Sequence, residues 1–70
     1  SADGTLLRPD RVVETETETI VVDYKTGKSK SAHRKQVEGY MNILHEMGKK
    51  SLKGYVVYLH EKPLIEEVSI

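Results

Sequence analysis

Residues 20–59 read IVVDYKTGKSKSAHRKQVEGYMNILHEMGKKSLKGYVVYL and place a helical pattern between two short apolar segments. The apolar segments, Thr19–Lys25 and residues 54–59, have the length and the Val, Ile and Tyr content of β-strands. Between them, apolar side chains recur at helical spacing: Val37, Tyr40, Met41, Leu44 and Met47. This periodicity predicts one amphipathic helix over residues 31–48, with serine caps near its start and Gly48 at its end.

Two further strands flank this unit and complete a predicted sheet. Residues 5–13 are predicted to pair antiparallel with Thr19–Lys25, and residues 64–70, after Pro63, to form an edge strand. A strand, a helix and a strand in succession form a right-handed crossover with parallel strands. The sequence therefore predicts an α/β (α+β) fold in the order β-β-α-β-β, a mixed sheet with the helix packed on one face. Since one helix cannot cover both faces, we expect a second layer from preceding sequence, a partner or another copy.

The length and composition exclude several classes of protein. Seventy residues form one small domain at most, and a content of 37% hydrophobic and 31% charged residues predicts a thin core. We therefore expect the chain to be part of a larger protein. The absence of cysteine excludes disulfides, thiolate zinc sites and cysteine nucleophiles, and fits a cytoplasmic location. The longest apolar run is far below the ~20 residues of a membrane helix, so no membrane partner is expected.

The charges balance overall but are unevenly distributed along the chain. Residues 1–23 contain six acids and two bases, whereas residues 24–37 contain five bases and no acid. Such a division suits a carboxylate site for a metal beside a surface that binds phosphates, although solvated surface produces similar runs. The candidates for contact with a nucleic-acid backbone are Lys28, Lys30, Arg34 and Lys35.

Two carboxylates and a lysine are predicted to converge at the end of the first parallel strand. Side chains alternate along a strand, so Asp23 and Lys25 project to one face, where a structural ion pair is the simplest interpretation. Antiparallel pairing through the Glu-Thr segment brings Asp10 opposite Asp23. Two carboxylates suit Mg²⁺, with Mn²⁺ as a substitute, and the lysine could orient or help to deprotonate an attacking water. Hydrolysis of phosphodiester bonds is the chemistry that these groups favour.

These residues resemble the signature of a known family. Pro9-Asp10, twelve intervening residues and Asp23-Tyr24-Lys25 resemble the signature of the PD-(D/E)XK nucleases, whose core is restriction-endonuclease-like. DRVV at residues 10–13, VVDYKTG at residues 21–27 and a Q-x-x-x-Y motif resemble the RecB-like branch of helicase-associated exonucleases. The segment GYVVYL resembles the strand that follows in that branch, so the resemblance covers about residues 5–60.

The resemblance assigns roles to individual residues. It implies that Asp10, Asp23 and the backbone carbonyl of Tyr24 bind Mg²⁺ and that Lys25 is the catalytic lysine. It implies that Gln36 and Tyr40 point toward the active site or the nucleic acid.

The resemblance also implies a function and a context for the chain. The function is that of a metal-dependent DNA nuclease, an exonuclease, within a larger helicase-nuclease of DNA repair or recombination, with a helicase domain or subunit as partner. Family members normally carry a helix before the first strand. We therefore expect residues 1–70 to form a partial domain that lacks this helix and has reduced activity alone.

Other interpretations of the same sequence stay open or fail on spacing. A non-catalytic nucleic-acid-binding or interaction module of the same fold, and a restriction-type endonuclease or junction resolvase, are the alternatives. The Gly-Lys-Ser at residues 27–29 is not a phosphate-binding P-loop, because Val22 stands where the first glycine is required. The histidines at 33, 45 and 60 match no compact zinc spacing. The two tyrosines of GYVVYL are predicted to pack on opposite faces, and the glutamates at 14, 16 and 18 to form a solvated hairpin tip.

Overall fold

The computed structural model describes residues 8–70, which form four strands and one helix. In chain order these are β1 (Arg11–Glu14), β2 (Thr19–Lys25), α1 (Ser31–Glu46), β3 (Leu52–Tyr58) and β4 (Leu64–Val68). The strands make one sheet in the order β1-β2-β3-β4, in which β2 and β3 are parallel and the outer pairs are antiparallel. The predicted α+β fold, with a mixed sheet and one helix, is confirmed.

The first strand is shorter than predicted. β1 begins at Arg11, after Pro9, which has no backbone N–H to donate, and Asp10, whose side chain takes part in the pairing instead. Residues 5–7 of the predicted strand lie outside the described residues.

The helix ends in a Schellman motif around the predicted glycine. Gly48 has φ +90°, its N–H donates to the carbonyl of His45, and the N–H of Lys49 donates to the carbonyl of Leu44. The helical residues stop at Glu46 rather than at residue 48, because the last turn closes onto this cap. The prediction of a serine cap at the other end was wrong: Lys30 is the N-cap, and it forms no side-chain capping bond.

The core lies between α1 and one face of the sheet. It consists of Val21, Val37, Met41, Leu44, Val56, Tyr58 and Val68. Gly54 lies on β3 directly under α1, where a Cβ atom would overlap the side chains of Met41 and Val37. The helix therefore packs this closely on the sheet because the residue beneath it has no side chain.

The other face of the sheet is only partly covered. Ile20, Val22, Tyr55 and Val57 alternate with the core residues and are half-buried, and Ile65 of β4 is 62% exposed. The predicted opposite orientation of Tyr55 and Tyr58 is confirmed. Residues 8–70 contribute no second layer on this face, so all the packing that positions the site comes from the α1 side.

Candidate metal centre

Asp10 and Asp23 lie opposite each other at the end of the β1–β2 pair, on the face of the sheet that carries α1. Arg11 pairs with Val22, so the two aspartates occupy the next opposed position, and opposed residues of an antiparallel pair share a face. The N–H of Asp10 donates to Oδ1 of Asp23 over 3.3 Å, and the N–H of Tyr24 donates to Oδ2 of Asp10 over 2.8 Å. Each carboxylate is therefore held by the backbone of the other strand segment.

Lys25 completes this group from the same strand. Its Nζ atom lies 3.2 Å from Oδ2 of Asp23, whose side chain is only 8% exposed. Within residues 8–70 this Oδ2 atom is buried and has no hydrogen-bond partner, since the ammonium is at ion-pair distance without the alignment of a hydrogen bond. A buried carboxylate oxygen without a hydrogen bond costs free energy. The oxygen is thus available to a bound cation.

The protonation state of Asp10 also suits a metal ligand. Its pKa lies below the ordinary value of 3.8, mainly because its carboxylate accepts the backbone N–H of Tyr24. The neighbouring side chain of Asp23 lowers this pKa further, desolvation raises it, and the positive charge of Lys25 lowers it. Asp10 is therefore a carboxylate at neutral pH, which is the form that binds a metal ion.

The available donors fit a hard divalent cation. The N–H and C=O of a strand residue point to the same side, so the carbonyl of Tyr24 points toward the side on which Asp10 lies. In the part of the chain that the structure describes, no three His, Cys, Asp or Glu side chains converge. The donors are thus two carboxylates and a backbone carbonyl. Mg²⁺ commonly binds in this way and fills its other positions with water and substrate phosphate.

Gln36 and Tyr40 are half-buried on α1. Arg34 contacts β4, and successive helical residues are about 100° apart, so Gln36 points about 200° away from Arg34. Its side of the helix therefore faces the half of the sheet that holds the two carboxylates. Tyr40 lies on the same side and packs against the core. Neither residue hydrogen-bonds to the carboxylates in the described chain.

The basic residues predicted to meet a nucleic acid divide into two groups. Lys28, Lys30 and Lys35 are exposed and form no ion pair with any residue from 8 to 70. Arg34 differs, because its Nη1 atom lies 2.9 Å from Oε1 of Glu66. The charge of Arg34 is therefore compensated within the fold, and it ties α1 to β4, whereas three ammonium groups stay available for phosphates.

Glu66 has a second partner in the loop before α1. The hydroxyl of Ser29 donates to Oε2 of Glu66 over 2.8 Å. The pKa of Glu66 lies below its ordinary value of 4.5, first because of the bond from Ser29 and then because of the bond from Arg34. Ser29, which the sequence suggested as a helix cap, thus connects the loop to the edge strand instead.

The hydroxyl of Tyr58 is a polar feature that the sequence analysis missed. Tyr58 is fully buried, its hydroxyl accepts the backbone N–H of Lys30 over 3.1 Å, and it lies 2.9 Å from Nδ1 of His33. The sequence analysis assigned Tyr58 to core packing alone. The one sequence signal for these bonds was that Tyr58 lies at the end of a buried strand, close to polar residues.

The residues after Tyr58 also contact the loop that follows β2. The N–H of Leu59 donates to the carbonyl of Lys25 over 2.8 Å, and Nε2 of His60 donates to the carbonyl of Gly27. His60 and His33 thus serve separate contacts, and His45 is exposed on α1. The end of β3 therefore fixes the backbone directly after the Asp-Tyr-Lys segment.

A cavity of about 490 Å³ lies away from the carboxylates, lined by Asn42, His45, Lys49, Lys50, Ser51, Leu52 and Ile70. Leu52 pairs with Thr19 at one end of β2, whereas Asp23 lies four residues further along. At ~3.3 Å per residue this separation is about 13 Å. The glutamates of the β1–β2 turn lie outside the site too, and Glu14 and Glu18 pair with Lys49 and Lys53. Asp23 is buried whereas Asp10 is exposed, so the carboxylate pair is open to solvent on the side of Asp10.

Comparison with known proteins gives one finding. A family model of the PD-(D/E)XK nuclease superfamily matches residues 8–68, a range that includes all four strands, α1 and the Asp10, Asp23 and Lys25 group. Neither the curated proteins nor the solved structures include a match to the chain. Among the described residues, α1 is too short and too polar to cross a membrane.

Proposed function

Because the chain belongs to the PD-(D/E)XK nuclease superfamily, we propose that Asp10, Asp23 and Lys25 form a Mg²⁺-dependent site that hydrolyses phosphodiester bonds in DNA. The observation that carries this proposal is the convergence of two carboxylates and a lysine: backbone N–H groups hold Asp10 and Asp23 together, and Nζ of Lys25 lies 3.2 Å from the buried Oδ2 atom of Asp23. A structural ion pair needs only one carboxylate and the lysine, whereas a second carboxylate is what a divalent cation adds.

Each residue has a defined task in this proposal. Asp10 and Asp23 bind the metal through carboxylates that backbone N–H groups already orient, and the carbonyl of Tyr24 is the third protein ligand. Bound Mg²⁺ supplies positive charge that offsets the charge developing on the phosphate. The Nζ atom of Lys25, with three hydrogens to donate, orients the attacking water or a phosphate oxygen on the same face.

The assignment to one branch of the superfamily rests on the sequence motifs. We propose the RecB-like branch, an exonuclease that acts with a helicase in DNA repair or recombination in the cytoplasm. VVDYKTG and the Q-x-x-x-Y motif support it. The position of Gln36 and Tyr40 on the carboxylate side of α1 is consistent with contacts to a nucleic-acid strand. The exposed Lys28, Lys30 and Lys35 add binding groups for its phosphates.

A cleavage assay tests this function. End-labelled linear DNA, single- and double-stranded, and covalently closed circular DNA are incubated with the chain in Mg²⁺ or in EDTA. We expect metal-dependent degradation of linear DNA that Asp23→Asn abolishes and Lys25→Ala lowers by about 10²–10³-fold. Glu16→Gln, which removes an exposed carboxylate of the β1–β2 turn, should leave the activity unchanged.

Other outcomes of this assay would choose between the alternatives. Cleavage of closed circles at internal positions would favour an endonuclease or a junction resolvase. Binding of DNA without cleavage at any Mg²⁺ or Mn²⁺ concentration would contradict the proposal and support the non-catalytic module. Activity that survives both Asp23→Asn and Lys25→Ala would place the chemistry elsewhere in the protein.

A further inference from the structure

We propose that the hydroxyl of Tyr58 is a positioning group that holds the β2–α1 loop, residues 26–30, so that Lys28 and Lys30 meet substrate phosphates next to Lys25. This inference rests on the proposed function and deepens it, since it adds a residue outside the Asp-Tyr-Lys segment that determines how tightly the site binds its substrate. The observations that carry it are the burial of the hydroxyl and the identity of its two partners.

The hydroxyl of Tyr58 has no role in filling space. The ring is 0% exposed, and a phenylalanine ring would occupy nearly the same volume. A buried tyrosine hydroxyl must find hydrogen-bond partners, and both of its partners lie at the start of α1. They are the N–H of Lys30, at 3.1 Å, and Nδ1 of His33, at 2.9 Å. The hydroxyl thus acts on the junction between loop and helix.

This junction lacks the usual local stabilisation. Lys30 is the N-cap of α1, and its own side chain makes no capping bond. Polar side chains at helix starts normally satisfy the exposed N–H groups there. In this chain the partner comes from β3, 28 residues further along the sequence. The conformation of the loop at Lys30 is therefore set by the sheet rather than by the loop itself.

Lys25 is held by the backbone of β3, where its register partner is Tyr58, and not by the Tyr58 hydroxyl. Its carbonyl accepts the N–H of Leu59, and its residue pairs within the β2–β3 ladder. The loss of the Tyr58 hydroxyl should therefore loosen the loop at Lys30, while the bonds of Ser29 to Glu66 and of Gly27 to His60 remain and the lysine of the site is not displaced. Substrate binding should weaken while the chemical step is retained, a combination that a general loss of structure would not give.

Tyr58→Phe tests the inference, with Tyr55→Phe as the matched control on the opposite face of the same strand. We expect KM for a labelled single-stranded oligonucleotide, and the Kd measured with Ca²⁺ in place of Mg²⁺, to rise about fivefold, the effect of one hydrogen bond. The value of kcat should stay within about twofold. The slope of log K against log salt should decrease by about 0.7 for each phosphate that the loop no longer binds. Tyr55→Phe should change none of these quantities.

Amide hydrogen exchange reports directly on the bond between the Lys30 N–H and the Tyr58 hydroxyl. In the wild-type chain we expect the Lys30 amide to exchange slowly, and in Tyr58→Phe we expect it to exchange faster while the amides of β2 and β3 keep their rates. If Tyr58→Phe does not fold, His33→Ala leaves the buried ring in place, removes one partner of the hydroxyl and should raise the Kd in the same direction.

Two results would overturn the inference. One is an unchanged Kd and salt slope in Tyr58→Phe, and the other is a fall in kcat with an unchanged KM, which would give the hydroxyl a role in the chemical step. The binding and exchange measurements need no catalysis. They therefore decide the role of Tyr58 even if the wild-type chain does not cleave DNA, so failure of this inference and failure of the proposed function are distinguishable.

Discussion

Asp23 joins the core to the site within three residues of one strand. Val21 and Asp23 share a face, so the alternation that buries the valine under α1 also buries the carboxylate at 5% exposure. One oxygen of Asp23 accepts the N–H of Asp10, and the other faces Lys25 without a hydrogen bond. The sequence predicted the shared face of Asp23 and Lys25. It did not predict the unsatisfied oxygen, which depends on distances between side chains.

Single substitutions on β2 should separate metal binding from the chemical step. If Lys25 acts on water or phosphate rather than on the metal, Lys25→Ala should lower kcat by about 10²–10³ and keep Mn²⁺ affinity within a few-fold. Asp23→Asn should lose both catalytic activity and Mn²⁺ affinity, because it removes the negative charge of a metal ligand. Lys53→Ala, which removes a lysine from the other face of β3, serves as the control. An equal loss of Mn²⁺ affinity in Lys25→Ala would contradict the role given to Lys25.

At the scale of elements, α1 and β3 are held together by a close approach at Gly54. A Cβ at this position would occupy the space of the Met41 and Val37 side chains, whereas a Cβ at Gly39 of α1 would meet no atom within 4 Å. The two glycines, one in a strand and one in a helix, thus differ in what an added Cβ would meet. The sequence identified the strand around Gly54 but gave no reason for the glycine, because the contact joins distant parts of the chain.

Alanine substitutions at these two glycines should have opposite effects. Gly54→Ala should lower the free energy of unfolding by about 1–3 kcal/mol, the usual cost of overpacking a core. Gly39→Ala should raise it by about 0.5–1 kcal/mol, because alanine loses less backbone entropy in a helix. Urea unfolding of the two variants beside the wild type measures both. A neutral Gly54→Ala would show that α1 does not pack as closely on β3 as described.

Glu66 is tied to Ser29 of the loop and to Arg34 of α1, and this tie should appear in the acid stability of the fold. The pKa of Glu66 is lowered in the folded chain, so the tie stabilises the fold above the ordinary value of 4.5 and is lost as the pH falls through the lower folded value. Glu66→Gln cannot titrate, so its free energy of unfolding should depend less on pH below about 4.5. Urea unfolding between about pH 3 and pH 7 measures this slope. Glu67→Gln is the control. If the free energy of unfolding of Glu66→Gln depends on pH as strongly as that of the wild type, the tie is contradicted.

At the scale of the molecule, periodicity predicted the order of elements better than their ends. The helical periodicity from Val37 to Met47 and the two apolar strands determine the β-α-β crossover. The apolar residues of each element repeat at a regular spacing, and the face that they form is buried. The helix begins at Ser31 as predicted, but the predicted serine cap was wrong, since the hydroxyl of Ser29 donates to Glu66 and caps no backbone N–H of the helix. Side-chain partners of this kind join β4 to the loop across 37 residues, and local sequence carries no signal for them.

The same limit applies to the site. The PD and DYK segments, with the antiparallel pairing between them, were enough to place Asp10 beside Asp23. The availability of Lys28, Lys30 and Lys35, in contrast to Arg34, follows from ion pairs that only the fold creates. Basic residues of equal sequence character therefore differ in their ion pairing, because the charge of one of the four is compensated by a distant glutamate.

A Mn²⁺ titration followed by amide NMR shows whether Asp10 and Asp23 form a site for a divalent metal ion. Bound Mn²⁺ broadens nearby resonances whether or not the chain cleaves DNA. We expect broadening confined to residues around Asp10 and Asp23–Lys25 in the wild-type chain and its loss in Asp23→Ala. Uniform broadening, or broadening that persists unchanged in a folded Asp23→Ala variant, would contradict the proposed metal site.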